Sequence, residues 1–225
     1  MPALTQQAKH EIERPAKRFV AVAGNIGVGK SSLTGLLAEK LGWEPFFEAN
    51  AENPYLADFY EDMERWSFHS QVFFLSRRLQ HHRQLVDHPG SVLQDRTVYE
   101  DAEVFARNLF LQGRMSKRDY DTYRALYEGI AAFLPPPHLM IYLKARVGTL
   151  VERIAMRGRA YERQISIDYL AQLNALYEEW IGGWAACPVL AVDADTLDFV
   201  HNDHDLARVL ASVWDHLAAL DQGNT

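Results

Sequence analysis

The stretch GNIGVGKSSL, residues 24–33, limits the possible folds more sharply than anything else in the chain. Gly24 is followed by four residues and then by Gly29-Lys30-Ser31, the spacing G-x-x-x-x-G-K-[ST]. Glycines let the backbone curl until successive N–H groups point inward at phosphate oxygens. Lys30 can reach the outer phosphates, and the Ser31 hydroxyl is available to Mg²⁺. Such a loop needs a buried strand before it and a helix after it, whose positive dipole end faces the anion. Both are present. RFVAVAG (18–24) is a nearly continuous apolar run, as expected of a strand covered on both faces. Leu33, Leu36, Leu37 and Leu41 then follow at helical spacing before Gly42. Gly24, Asn25, Ile26, Gly27, Val28, Gly29, Lys30, Ser31 and Ser32 are therefore the expected cradle for the phosphates of ATP.

The rest of the chain repeats this alternation. Strands are expected at 43–48, 91–95, 138–145 and 188–193. Helices are expected over 53–87, 98–112, 116–132, 147–157, 166–182 and 203–220. Pro135-Pro136-Pro137 closes the helix before the fourth strand. Five short apolar strands separated by helices predict an α/β fold with a parallel sheet covered on both faces.

Composition narrows the function. The 225 residues suit one sizeable domain at 18–225, behind a polar, flexible N-terminal arm at 1–17. A net charge of −7 disfavours nucleic acid as a partner, and no apolar run approaches the ~20 residues of a membrane span. The arm lacks the apolar segment of a secretory signal, and the one cysteine, Cys187, excludes an intrachain disulfide. A cytoplasmic location is expected. Neither a guanine-reading Asn-Lys-x-Asp string nor an H-E-x-x-H or Cys/His zinc pattern occurs, which leaves a small-molecule kinase or a nucleotide-binding module without chemistry.

Three further groups bear on that choice. Glu48 ends the second expected strand, where a carboxylate can take the proton of an attacking hydroxyl. Asp95 and Arg96 end the third, an acid suited to Mg²⁺ beside a cation suited to developing phosphoryl charge. Arg153, Arg157, Arg159 and Arg163 cluster around Gly158, as an arginine-rich turn closing over a triphosphate would require.

Taken with YEDMERWSFHSQVFFLSRR (60–78), DRTVYEDAEVFA (95–106) and RGRAYE (157–162), the phosphate loop makes the chain resemble the deoxynucleoside kinase family from about residue 18 to 215. The resemblance implies a P-loop kinase three-layer αβα sandwich with a five-stranded parallel sheet and an arginine-rich lid. It implies transfer of the γ-phosphate of ATP to the 5′-hydroxyl of a deoxynucleoside, with Mg²⁺, by a protein that is usually a homodimer. By position, Glu48 matches the general base, Arg96 the arginine beside the reacting hydroxyl, and Asp95 the acid associated with Mg²⁺. Thr97 stands where the family usually has serine. Tyr60 and Glu162 match the pair that grips the sugar 3′-hydroxyl, Gln71 the glutamine on the base edge, and Phe105 the aromatic that stacks on the base. Arg153, Arg157 and Arg159 match the lid arginines. DADTLDF (193–199), ending in Asp198 and Phe199, resembles the loop that receives the adenine of ATP.

Arg78 and Asp101 align with a charged pair that family members use for purines and deoxycytidine, whereas members favouring thymidine carry smaller uncharged side chains there. Arginine donates to N7 or O6 acceptors and aspartate accepts from an amino group. A purine deoxynucleoside is expected, with deoxyadenosine and deoxyguanosine both open and deoxycytidine or a broad range the alternative. The adjacent Arg77 leaves open which arginine faces inward. A nucleoside monophosphate kinase and a non-catalytic nucleotide-binding subunit are the remaining readings.

Overall fold

The computed structural model describes residues 16–47, 53–159, 162 and 164–223. Five strands, β1 (Phe19–Gly24), β2 (Glu44–Phe46), β3 (Val92–Asp95), β4 (Leu139–Lys144) and β5 (Val189–Asp193), form one sheet in the order β2-β3-β1-β4-β5. Every pairing is parallel. Parallel neighbours require crossovers, and the intervening helices supply them on both faces.

Alternation along the central strands builds the two faces. Val20 and Val22 of β1, with Leu139, Ile141 and Leu143 of β4, pack against α1 (Lys30–Leu41), α7 (Val147–Arg157) and α9 (Asp203–Gly223). Phe19, Ala21, Ala23, Met140 and Tyr142 point the other way, against α2 (Leu56–Glu61), α3 (Met63–Asp87) and α8 (Ile167–Gly182). All six residues of β1 are buried, which is why the sequence reads as a continuous apolar run rather than an alternating one. Outside the second face, α3 packs with the helical stretch 98–111 and with α6 (Lys117–Ala131), around Leu75, Ala102, Tyr123 and Tyr127.

Two expected helices prove to be composite. The pattern over 53–87 divides at Asp62, whose side chain accepts the Arg65 N–H and so starts α3 afresh. The expected helix over 98–112 opens as α4 (Val98–Glu100), widens into a π-helical turn over Asp101–Ala106 and closes as α5 (Arg107–Leu111). The second strand is also shorter than expected, ending at Phe46. The flexible-arm expectation for residues 1–15 lies outside the described residues.

The carboxyl ends of β1, β3 and β4 all open at one edge. There the chain leaves β1 for α1 while the neighbouring strands connect to either side, the usual place for a site in an open α/β sheet.

Candidate active site

A cavity of about 810 Å³ occupies that edge, running from the phosphate loop to the α3 and π-helical walls. Its phosphate end follows from local sequence. Gly24 adopts φ 144°, and a Cβ there would lie 2.6 Å from the Leu143 carbonyl oxygen, so the position needs glycine on both counts. Gly29, at φ 108°, caps α1 in a left-handed conformation and turns the first helical N–H groups into the cavity. Asn25 holds the loop from behind: its amide donates to Leu170 O at 3.0 Å and Asn174 Oδ1 at 2.6 Å, while its Oδ1 accepts the Ile26 N–H at 2.7 Å. The Lys30 ammonium is buried and donates to Asn25 O at 3.0 Å, so it is folded back over its own loop. Ile26, Gly27, Gly29, Lys30, Ser31 and Ser32 line the cavity, and Gly24, Asn25 and Val28 stand behind them.

Ser31 Oγ donates to Asp95 Oδ2 at 2.5 Å. The other oxygen of that carboxylate, Oδ1, is buried with no hydrogen-bond partner among the described residues. An anionic oxygen left in that state is costly unless a cation takes it. A hydroxyl beside a hard carboxylate is a suitable oxygen donor set for Mg²⁺, so these residues fit that ion.

Arg96 follows Asp95 at φ 67°, a left-handed conformation that is strained for a non-glycine residue. Its N–H is tied to Val22 O at 3.0 Å. Its guanidinium carbon lies 4.2 Å from the centroid of the Phe105 ring, and Nη1 donates to Tyr177 Oη at 3.3 Å. The hydroxyl of Tyr177 in turn donates to Glu100 Oε1 at 2.9 Å, and the same oxygen accepts the Gly24 N–H at 3.2 Å.

At the other end of the cavity, α3 and the π-helical turn face each other. The π turn is wider than an α turn and brings both Asp101 and Phe105 to the wall. Arg78 Nε donates to Asp101 Oδ2 at 2.9 Å, and both side chains are buried. Arg77 instead packs over Phe73 and donates to Gln80, so Arg78 is the inward arginine. Gln71 lines the cavity with its Oε1 unpaired among the described residues, an acceptor ready for a base-edge N–H. Phe74, Leu56 and Phe59 add apolar wall, and Tyr60 lies beside them. Tyr169 also lines the cavity, its hydroxyl pushed up to about 12 by burial, so it stays protonated.

The arginine turn is already engaged. Arg157 makes a bidentate pair with Glu162, Nε to Oε2 at 3.0 Å and Nη2 to Oε1 at 2.6 Å, and Arg159 approaches Oε1 at 3.4 Å. Arg153 does something else. It donates to Val28 O and to Ala194 O, each at 2.8 Å, and so braces the phosphate loop against the segment after β5. That segment supplies the remaining wall through Asp195, Leu197, Asp198 and Phe199, with Phe199 packed at Gly29.

Of the residues singled out by sequence, Lys30, Ser31, Tyr60, Gln71, Arg96, Asp101, Phe105, Arg153, Arg157, Arg159, Glu162, Asp198 and Phe199 share this one cavity. Arg78 and Asp95 stand directly behind it through Asp101 and Ser31. Glu48 and Arg163 lie outside the described residues. Sequence reasoning passed over Glu100, Tyr177 and Tyr169. Only Glu100 carried a signal, the capping box Thr97-x-x-Glu100, and the structure contains both of its hydrogen bonds.

The sequence profile of the family described as deoxynucleoside kinase matches residues 20–218. A deoxyadenosine/deoxycytidine kinase of Bacillus subtilis (strain 168) is 38% identical over 201 residues, covering 88% of this chain and 93% of that protein. A deoxyguanosine kinase of the same organism is 36% identical over 200 residues, covering 87% and 95%. Among solved structures, a deoxyadenosine kinase from M. mycoides with bound dATP superposes with a TM-score of 0.78 at 29% identity, covering 87% of this chain and 98% of the other.

Proposed function

Since the chain belongs to the deoxynucleoside kinase family, we propose that it transfers the γ-phosphate of ATP to the 5′-hydroxyl of deoxyadenosine or deoxyguanosine, in nucleotide salvage. One observation carries the choice of base: the buried Arg78–Asp101 pair, with the open Gln71 acceptor beside it, closes the cavity end opposite the phosphate loop. A purine edge offers acceptors and an amino group to such a wall, whereas a thymine methyl would meet a charge. Cytosine also carries an amino group, and a B. subtilis relative is a deoxyadenosine/deoxycytidine kinase, so deoxycytidine is the second reading.

In this reading Glu48, at the position of the family base, takes the 5′-hydroxyl proton as the oxygen attacks the γ-phosphorus and the bond to the β-phosphate oxygen breaks, releasing ADP. Lys30 and Arg96 offset charge on the transferring group, and Arg157 and Arg159 leave Glu162 to join them. Tyr60 and Glu162 hold the sugar, and Phe105 offers the base the ring face that Arg96 leaves open. Ser31 and Asp95 would hold Mg²⁺, which supplies charge neutralisation on the phosphates when bound. Arg153 keeps the phosphate loop and the donor-base segment in register. A second acceptor phosphate, as a monophosphate kinase requires, would need extra cations at the acceptor end, whereas Glu48, Tyr60 and Glu162 suit an uncharged hydroxyl, which argues against that substrate. No helix among the described residues is long and apolar enough to cross a membrane. A cytoplasmic homodimer is the state proposed, with Leu111, Leu126 and Phe133 exposed as apolar surface for it.

The test is turnover of deoxyadenosine, deoxyguanosine, deoxycytidine, thymidine and dTMP with ATP and Mg²⁺, scoring mono- and diphosphate products. Preference for a purine deoxynucleoside is expected. Turnover of thymidine above the others would remove the base assignment.

A further inference from the structure

Arg96 has an unusual problem of placement. It is expected to meet a transferring phosphoryl group, yet its backbone is left-handed and its side chain is long and flexible. The backbone N–H donates to Val22 O and the guanidinium stacks on Phe105, and neither contact by itself sets how the guanidinium turns within the plane of the ring. A directional contact runs from Nη1 to the hydroxyl of Tyr177.

A phenol accepts from a guanidinium only while its own proton points elsewhere. Glu100 provides for that. Its Oε1 takes the Tyr177 proton at 2.9 Å, which aims a lone pair of the hydroxyl at Arg96. Glu100 is itself immobile: it is fully buried, its Oε2 accepts the Thr97 N–H at 2.8 Å, and its Oε1 accepts the Gly24 N–H at 3.2 Å. Tyr177 is fully buried too, stacked on Tyr142 and edge-on to Trp180 and Phe105. The relay therefore joins the first glycine of the phosphate loop to the arginine at the end of the neighbouring strand, through two side chains behind the cavity wall.

We infer that Tyr177, with its hydroxyl oriented by Glu100, is a positioning residue that holds Arg96 at a fixed distance from the phosphate loop during phosphoryl transfer. The inference rests on the role proposed above for Arg96. Tyr177 touches no substrate. Its effect falls on the alignment of a group that acts mainly in the transition state, so it is felt in kcat rather than in binding.

The experiment is a double-mutant cycle on kcat with Tyr177→Phe, Arg96→Lys and the pair, at saturating ATP, Mg²⁺ and deoxynucleoside. Tyr177→Phe keeps the aromatic packing and removes one oxygen. It is expected to lower kcat about tenfold, with KM for both substrates within about twofold of wild type. In the Arg96→Lys background the same change is expected to cost less than about twofold, because the arginine it serves is gone. A merely structural tyrosine would lower activity by the same factor in both backgrounds, and that result overturns the inference. So does a Tyr177→Phe enzyme with wild-type kcat beside a crippled Arg96→Lys. An Arg96→Lys enzyme with full kcat would instead remove the role of Arg96, and this inference with it, while leaving the kinase assignment standing. Glu100→Gln is the second variant should Tyr177→Phe fail to fold. Its amide nitrogen has to face either the Gly24 or the Thr97 N–H, which disturbs the acceptor that orients the phenol, so a kcat loss that shrinks in the Arg96→Lys background is expected; unchanged kcat overturns the relay.

Discussion

Removing one member of the Arg78–Asp101 pair should damage stability and selectivity together, and removing both should not. The two side chains are 3% and 4% exposed and meet at 2.9 Å, Nε to Oδ2. With charge centres about 4 Å apart and an effective dielectric of about 20, their attraction is ~4 kcal/mol. Arg78→Met takes the Nε donor from a desolvated carboxylate, and Asp101→Ala takes the carboxylate from a desolvated guanidinium whose Nη1 also donates to Asp95 O. Each should lower the unfolding free energy by about 3–5 kcal/mol. The double variant buries neither charge and should fall within ~2 kcal/mol of wild type. Urea unfolding at neutral pH measures all three. Turnover measured alongside should show each single variant losing purine selectivity, and the double variant gaining thymidine, whose methyl then meets an apolar wall. A single variant that costs less than about 1 kcal/mol, or a double variant whose loss is the sum of the two singles, would refute the reasoning, because the two charges would then not be offsetting each other.

Three further outcomes follow from the same structure. Gly24→Ala would put a Cβ 2.6 Å from the Leu143 carbonyl oxygen at φ 144°, so the phosphate loop must shift; melting temperature and ATP affinity should both fall, and an unchanged melting curve would count against the stated geometry. Asp95→Asn should raise the Mg²⁺ concentration for half-maximal activity by about tenfold or more, since the open carboxylate oxygen beside Ser31 loses its charge; an identical Mg²⁺ titration would move the metal elsewhere. His82 and His138 are both held below the ordinary 6.5 by burial. The unfolded chain thus binds more protons than the folded one just below that value, and the stability present above pH 6.5 is lost as pH falls toward the folded values. Urea midpoints at about pH 8 and about pH 5.5 should differ less in His82→Leu than in wild type, and equal dependence would clear His82 of the effect.

The sheet and the phosphate loop were legible because their signals are local. A buried parallel strand is a short apolar run, and the loop is a spacing of residue types set by backbone sterics. Local signals fail where the decisive event is a change within a helix. Nothing in EDAEVFAR (100–107) distinguishes a π turn from an α-helix, because a single extra residue in one turn leaves no mark on local propensity. The break at Asp62 was hidden the same way, since a capping aspartate inside a long amphipathic pattern looks like one more polar-face residue until the chain turns. Arg77 and Arg78 show the limit most simply. Adjacent residues on a helix differ by about 100°, and the packing of α3, not the sequence of the pair, decides which one is buried.

Arg96 joins these strands of reasoning. Left-handed backbone is where glycine is cheapest, and an arginine there costs on the order of 1–3 kcal/mol. Such strain survives only where the surroundings over-determine it, and here they do. The peptide N–H is claimed by Val22, the guanidinium face by Phe105, and its edge by a tyrosine whose own proton is claimed by Glu100. The turn that strains Arg96 follows directly from where its neighbours must go. Asp95 has to end β3 beside Ser31, and Thr97 has to start the next helix with its cap on Glu100, so the one residue between them absorbs the change of direction. The charged side chain is thereby brought to the cavity wall, which it shares with the phosphate loop and with Asp101 and Phe105. The bend at that single residue sets where the guanidinium starts, and the buried Glu100–Tyr177 relay meets its far end.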